Sequence, residues 1–299
     1  MIDARKKPLR PAEFFAEADI DYKLSSSVVD INRTAKKVVL QSGEVLDYDK
    51  LCLATGTKVR KPKMPGSELR GVHYLRTSED QEAIKAGAAN ASAIAVVGSS
   101  WIATEVASAL VTKYKGQKEV YLIQTTEFPL ERALGKEVGA LVAQDHTKAG
   151  VKILAQENVI GINGNAEGGV RSIKLESGKE VDVDVVVFGK GVTPATEFLS
   201  NSGLDFERDG GVTCNPFLQT SDANIFAAGD IVSYPYWVDG KRTRTEHWNV
   251  ALDQGTFAAF NMLGKLVPYG SVPFFWTRNY NKSIQYCGNG AGATSIHIQ

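Results

Sequence analysis

Ala93-Ile94-Ala95-Val96-Val97-Gly98-Ser99-Ser100-Trp101-Ile102-Ala103 sets five apolar residues directly against a small-residue turn, and the pattern then changes period. A run apolar throughout reads as a strand buried on both faces. Ile102, Val106, Ala109 and Leu110 then recur at helical spacing as far as Gly116. Val120 to Ile123 supplies a second buried strand, so the stretch is a βαβ unit. Gly98, Ser100 and Ala103 occupy the three small-residue positions of a dinucleotide fingerprint. The first serves the tight turn, the second the approach of a pyrophosphate, and the third helix–strand packing. Ser100 sets a Cβ and a hydroxyl where a nucleotide comes closest, and a purely structural strand–helix turn is the competing reading.

At the end of the second strand a carboxylate would bond the adenosine ribose hydroxyl of NAD, and a nearby Arg would accept the 2′-phosphate of NADP. Gln124 stands there, with Arg132 close in sequence. A neutral amide bonds a hydroxyl without repelling a phosphate, so the choice stays open, with NADH favoured. Glu105 is a second polar candidate on the helix, or an ordinary exposed glutamate.

Beyond this unit the chain continues in kind. Val138, Leu141, Val142 and Ala149 mark a helix closed by Gly150, followed by strands at Val151 to Leu154, Val159 to Ile162, Val170 to Leu175 and Val183 to Phe188. Ahead of it, Pro11 opens a short helix with Phe14, Phe15 and Ala18 on one face. Val28, Val29 and Ile31, then Val38 to Leu40, the Ser42-Gly43 turn and Val45 to Tyr48 read as an antiparallel meander. Leu51 to Ala54 reads as a fully buried strand ending at Thr55-Gly56. Asp47-Tyr48-Asp49 before that strand matches Asp182-Val183-Asp184 before the strand that ends at Gly191, an internal repeat. By the same offset the first copy's glycine turn is expected ahead of Met1.

Composition narrows the function classes. Lys plus Arg and Asp plus Glu number 34 each, so no global field draws the chain to nucleic acid. No run approaches the ~20 apolar residues of a membrane span. Cys52, Cys214 and Cys287 form no CxxC or CxxxxC pair, and the scattered cysteines and His73, His146, His247 and His297 offer no metal site. Arg5, Lys6, Lys7 and Arg10 make a basic N-terminal loop or a docking patch. Asn224 to Asp230 is a short apolar strand ending in Gly229-Asp230, which presents a carboxylate to a polyol hydroxyl.

Taken in order, Tyr48-Asp49-Lys50-Leu51 to Ala54-Thr55-Gly56, the Gly98 turn with Glu105-Val106-Ala107, Gly191-Val192-Thr193-Pro194-Ala195-Thr196, Ala227-Ala228-Gly229-Asp230, Glu246-His247-Trp248, Asn261-Met262-Leu263 and Val272-Pro273-Phe274-Phe275-Trp276 span nearly the whole chain. The set resembles the FAD-dependent pyridine nucleotide-disulfide oxidoreductases, within them the apoptosis-inducing factor group and its Rieske-bearing member. The resemblance implies an α/β, two-dinucleotide-binding-domain flavoprotein with Rossmann-like ββα units, the first FAD βαβ unit missing. It implies a discontinuous FAD-binding domain over 1–60 and 188–268, an NAD(P)H-binding domain over 61–187, and the start of a C-terminal interface domain over 269–299, with strands at Ser283 to Tyr286 and Ser295 to Ile298.

For FAD it implies Val28 at the adenine flanked by Thr55 and Gly56, Arg60 at the pyrophosphate, Asp230 after Gly229 at the ribityl chain, and Glu246, His247 and Trp276 near the flavin. Trp248 would lie there too or pack as core. For NADH it implies Gly98, Ser100, Trp101, Ile102 and Ala103 at the phosphates, Glu105 at the carboxamide and Gly191 beside the nicotinamide, with NADPH still open. The cofactors carry the chemistry, so no side chain is assigned as acid or base. The expected reaction carries electrons from NADH through flavin to an external acceptor, a Rieske or ferredoxin-type iron–sulfur protein. The alternatives are a truncated, inactive chain or an NADH-responsive interaction module. The resemblance suggests a mitochondrial or cytoplasmic setting.

Overall fold

In a computed structural model describing residues 9–290, 293 and 295–298, the chain divides into two compact units. The first comprises 1–58 with 193–275, the second 59–192 with 276–299. Residues 269–299 are therefore shared between the two units. The basic residues Arg5, Lys6 and Lys7 lie outside the described residues.

The second unit is built on a five-stranded, all-parallel sheet. Its spatial order is Val72–Tyr74, Val185–Phe188, Ala93–Val97, Glu119–Ile123, Val151–Leu154. Ile94, Ala95, Val96, Val120, Leu122 and Val186 are wholly buried, as continuous apolar runs in a covered parallel sheet require. Helices Trp101–Tyr114 and Glu131–Lys148 follow the strands as the apolar periods predict. An antiparallel meander, Val159–Gly164, Val170–Leu175 and Glu180–Asp182, precedes the return to the sheet.

Helix Ser78–Asn90 and strand Val72–Tyr74 carry no clear apolar period and were not foreseen. The helix buries only Ile84 and Ala88 among its residues. A capping box starts it instead: Thr77 Oγ1 accepts from the Asp80 N–H while the Asp80 carboxylate accepts from the Thr77 N–H.

In the first unit Val28–Asn32, Lys37–Leu40 and Val45–Asp47 form the expected antiparallel meander. Leu51–Leu53 pairs in parallel with Ile225–Ala227. The expectation that 51–54 is buried on both faces fails. Leu51 and Cys52 are half-buried and Ala54 is exposed, because among the described residues Ile225–Ala227 is the one strand paired with it. The N-terminal helix Ala12–Glu17 buries none of its residues; Phe15 stacks on Tyr22 instead. Helix Trp248–Met262 turns Val250, Gln254, Ala258 and Asn261 inward. Trp248, a candidate for the core, is 60% exposed because it heads that helix on the opposite side from those residues.

At the C-terminal end, Phe274–Asn279 and Lys282–Cys287 form a two-stranded sheet, matching the strand expected at 283–286. Residues 295–298 are not a strand: Ile296 and Ile298 are exposed and pair with no ladder among the described residues.

Candidate functional site

The second unit contains a cleft of about 560 Å³ at the end of its parallel strands, lined by Gly98, Ser100, Trp101, Gln124 and Gly191 among others. This is the crevice beyond the carboxyl ends of the strands where ligands of open α/β sheets bind. Packing explains the small residues. Gly98 has φ +136°, and a Cβ there would lie 2.4 Å from the Gly189 carbonyl oxygen. A Cβ on Gly189 would in turn lie 3.0 Å from the Ala103 Cβ. Gly98, Gly189 and Ala103 thus let turn, return strand and helix close on one another. Gly191 meets no neighbour, and its φ of +83° is what favours glycine there.

Ser100 does not obstruct the cleft as expected. Its hydroxyl accepts from the Ala103 N–H at 3.3 Å as the helix N-cap and donates to the Gly189 carbonyl at 2.9 Å. The hydroxyl is committed to the protein, and the helix N-terminus opens on the cleft, where its dipole favours an anion.

Gln124 is 1% exposed, and its amide nitrogen donates to the carbonyls of Thr126 and Glu127 at 3.4 and 3.2 Å. Its Oε1 is buried with no partner. Glu157 was not singled out from the sequence. It reaches the cleft from beyond strand Val151–Leu154, its N–H bonded to the Gln124 carbonyl at 2.9 Å. Lys190 also lines the cleft; it donates to Asn158 Oδ1 at 3.1 Å, and burial pulls its ammonium below the ordinary value. Arg60 and Arg132 complete a set of three cations against one carboxylate. An orphaned buried acceptor, an anion-favouring helix start and an excess of positive charge fit a nicotinamide dinucleotide.

Not every sequence candidate lines this cleft. Ile102 is 42% exposed and Ala103 fully buried behind Gly189, and neither borders it. Glu105 lies one turn further along the helix, where Thr277 donates to its Oε1 at 2.5 Å. Arg60, expected at a flavin pyrophosphate, belongs to the second unit; its N–H bonds the Gly191 carbonyl at 3.0 Å and it borders the cleft. Trp276 is in the second unit and 53% exposed.

The first unit gathers the remaining candidates. Asp230 follows the buried strand Ile225–Ala227, and its Oδ2 accepts from Thr57 Oγ1 at 3.0 Å. The Gly229 N–H is held by Gln254 Oε1 at 2.8 Å, which sets the turn presenting Asp230. Thr55 donates to the Ala195 carbonyl at 2.8 Å, and the Gly56 carbonyl accepts from the Ala195 N–H at 2.9 Å. Arg244 pairs with Glu246 at 2.6 Å and donates to the Asp230 carbonyl at 3.0 Å. His247 caps the following helix by accepting from the Asn249 N–H and packs against Phe275. Burial lowers its imidazole, and Asp230 opposes the shift. Val28 packs against the unit's core from the meander. This wall suits the polyol side of FAD, but among the described residues the first unit has no strand–glycine turn–helix to hold a pyrophosphate.

Two of the three thiols sit in apolar surroundings. Cys52, Cys214 and Cys287 are free. Burial pushes the Cys52 thiol up to about 11 and the Cys214 thiol up to about 12, away from the reactive thiolate. No cluster of metal-binding side chains occurs among the described residues, and no described helix is long and apolar enough to cross a membrane.

Comparison with known proteins agrees with this geometry. The chain is 35% identical to human apoptosis-inducing factor 3, covering 97% of this chain and 47% of that protein. It is 35% identical to rhodocoxin reductase of Rhodococcus erythropolis, covering 97% and 67%. A ferredoxin reductase from Rhodopseudomonas palustris superposes with a TM-score of 0.90 at 28% identity, over 95% of this chain and 69% of that one. The covalent putidaredoxin reductase–putidaredoxin complex gives 0.90 at 30%, over 97% and 70%. The chain spans about half the length of the apoptosis-inducing factor 3 proteins it matches. With the family model for pyridine nucleotide-disulphide oxidoreductases matching residues 3–255, and with that fold and that cleft, the chain belongs to the pyridine nucleotide-disulphide oxidoreductase family.

Proposed function

We propose that the chain carries the nucleotide-handling units of an FAD-dependent NAD(P)H oxidoreductase that passes electrons from NADH to an external ferredoxin- or Rieske-type iron–sulfur protein. The cleft between the Gly98 turn and Gln124 carries the reading, because its small residues, helix start and orphaned acceptor match a dinucleotide. Relatives described as ferredoxin–NAD(+) reductase components support the choice of acceptor.

In this reading the second unit is the NAD(H) side and the first the FAD side, with residues near 269–299 leading toward an interface region. Nicotinamide and flavin supply hydride acceptance and its conversion to single electrons. The protein positions them. Ser100 and Ala103 would hold the helix start toward the phosphates and Gly191 would leave room for the nicotinamide, while the resemblance alone assigns the carboxamide to Glu105, which stands outside the cleft lining bonded to Thr277. Asp230, fixed by Thr57 and the Gly229 turn, would accept from ribityl hydroxyls, and Glu246 and His247 would border the ring. The resemblance alone favours a mitochondrial or cytoplasmic setting.

The open sheet of the first unit favours a second reading, an NADH-binding module that retains no flavin. Purification of the 299-residue chain and a visible spectrum separate the two. A flavin absorption near one equivalent with NADH-dependent reduction of a ferredoxin supports the oxidoreductase. A colourless protein that still binds NADH sinks it in favour of the module.

A further inference from the structure

Lys190 is the one primary amine among the described residues that line the second unit's cleft. It follows Gly189 just beyond strand Val185–Phe188, and both of its chain neighbours are tied to groups that favour an anion. On one side Ser100, the cap of the helix start, donates to the Gly189 carbonyl at 2.9 Å. On the other the Arg60 N–H donates to the Gly191 carbonyl at 3.0 Å, and Arg60 and Arg132 both line the cleft. A helix N-terminus and two guanidinium groups make this end of the cleft attractive to a phosphate. The Lys190 amine is half-buried and donates to a neutral group, Asn158 Oδ1 at 3.1 Å. Glu157 is the one carboxylate of the lining, and among the described residues it forms no ion pair with Lys190. Burial without a carboxylate partner favours the neutral amine, which is the nucleophilic form.

We propose that Lys190 is a site of acylation by acyl phosphates, and that the acyl group then shuts the dinucleotide out of the cleft. The second half rests on the nucleotide reading of the cleft; the first does not. The donor is a carboxylic–phosphoric anhydride, whose phosphate the helix start and the two arginines draw in. The unprotonated Lys190 Nζ attacks the acyl carbon. A C–N bond forms, the C–O bond to the phosphate breaks, and its electron pair leaves with the phosphate, which takes the amine's proton and departs as hydrogen phosphate. No oxidant, reductant or further reactant is needed. The resulting amide carries no charge and more bulk than the amine, so it removes a cation that a pyrophosphate would meet and fills space beside Gly191. The supply of acyl phosphate thereby governs how much of the chain can take NADH.

Incubation of the full chain with acetyl phosphate near neutral pH, followed by peptide mass mapping, tests the acylation. Lys190 should be acetylated at least about threefold faster than the exposed Lys174 and Lys179, since more of its amine is free. Inorganic phosphate or saturating NADH should slow the reaction at Lys190 and leave the other two unchanged. NADH titration of the acetylated chain should show an affinity lower by about threefold or more. Lys190→Gln removes the charge without the reagent, so it should show a similar loss and no further response to acetyl phosphate. Acetylation of Lys190 no faster than that of Lys174 and Lys179 overturns the proposal, and so does a rate at Lys190 that phosphate does not slow. An acetylated chain with unchanged NADH affinity overturns its second half. A wild-type chain that binds no NADH overturns the nucleotide reading and that second half with it, while the Lys190 rate still decides the first. If Lys190→Gln fails to fold, the wild-type chain before and after acetylation decides.

Discussion

Both units follow one plan, a three-stranded antiparallel meander and then a strand ending at a glycine, Leu51–Leu53 toward Gly56 and Val185–Phe188 toward Gly191. Their surroundings differ. Val185–Phe188 sits between Val72–Tyr74 and Ala93–Val97, and all four of its residues are buried. Leu51–Leu53 pairs with Ile225–Ala227, and two of its three residues stay half-buried. An apolar run specifies a strand, but neighbours on both edges and faces are what bury it. The unit with the five-stranded sheet also has the cleft beyond its strand ends, since such a crevice needs several strands to form its floor.

The largest effect should come from the cores. Ile94→Ala empties a fully buried site in the second unit and should cost about 2–5 kcal/mol, whereas Leu51→Ala at a half-buried site should cost about 1 kcal/mol. Denaturant unfolding followed in both variants checks the difference. Equal losses would mean that the first unit's strand is as well enclosed as the second's.

The glycine turns sharpen the contrast next. Gly98→Ala drives a Cβ to 2.4 Å from the Gly189 carbonyl at φ +136° and should cost roughly 2–4 kcal/mol and abolish nucleotide binding. Gly191→Ala meets open space and should cost only about 1 kcal/mol of backbone strain. Thermal unfolding and NADH titration of the pair distinguish a packing requirement from a conformational one.

Ser100→Ala removes a cap bond and the bond to Gly189, and should lower the second unit's stability by about 1 kcal/mol. A matching change in the first unit, Thr57→Val, deletes the hydroxyl bonded to Asp230 and should cost a similar amount. Loss of flavin retention in Thr57→Val, with NADH binding intact, would tie Asp230 to the flavin side.

Acid should act last and on the second unit. His146 is wholly buried with its two ring nitrogens at 3.0 and 3.2 Å from the Val142 and Thr104 carbonyls. Burial holds its imidazole below the ordinary value of 6.5, with those carbonyls opposing the shift. The unfolded chain therefore takes up the proton first. The stabilisation is whole above pH 6.5 and is lost as pH falls toward the lower folded value, by up to about 1.4 kcal/mol per pH unit. Unfolding midpoints at pH 7.5 and 5.5, about two units apart, should separate in the wild-type chain and draw closer in His146→Gln, the remaining difference coming from His73 and His247, whose imidazoles burial also lowers.

Much of this was legible in local pattern. The run 93–97, the Gly98 turn, the period of 102–110 and the strands after Gly150 each appear where their residues require them, because period and turn chemistry are properties of short segments. The helix Ser78–Asn90 escaped because alanines and charges leave no apolar stripe; only Thr77 and Asp80 announced it. Glu157 escaped because its meaning lies in adjacency to Gln124, which strand order creates and chain distance conceals.

What adjacent residues can establish, therefore, is the strand–turn–helix unit, the repeat and the family's chain of motifs. Which way the Ser100 hydroxyl points, that the Gln124 amide spends its donors on its own turn, and that a carboxylate joins it from the next strand are matters of packing across the sheet. Hydrogen-bond partners drawn from distant segments settle those questions, and no local period encodes them.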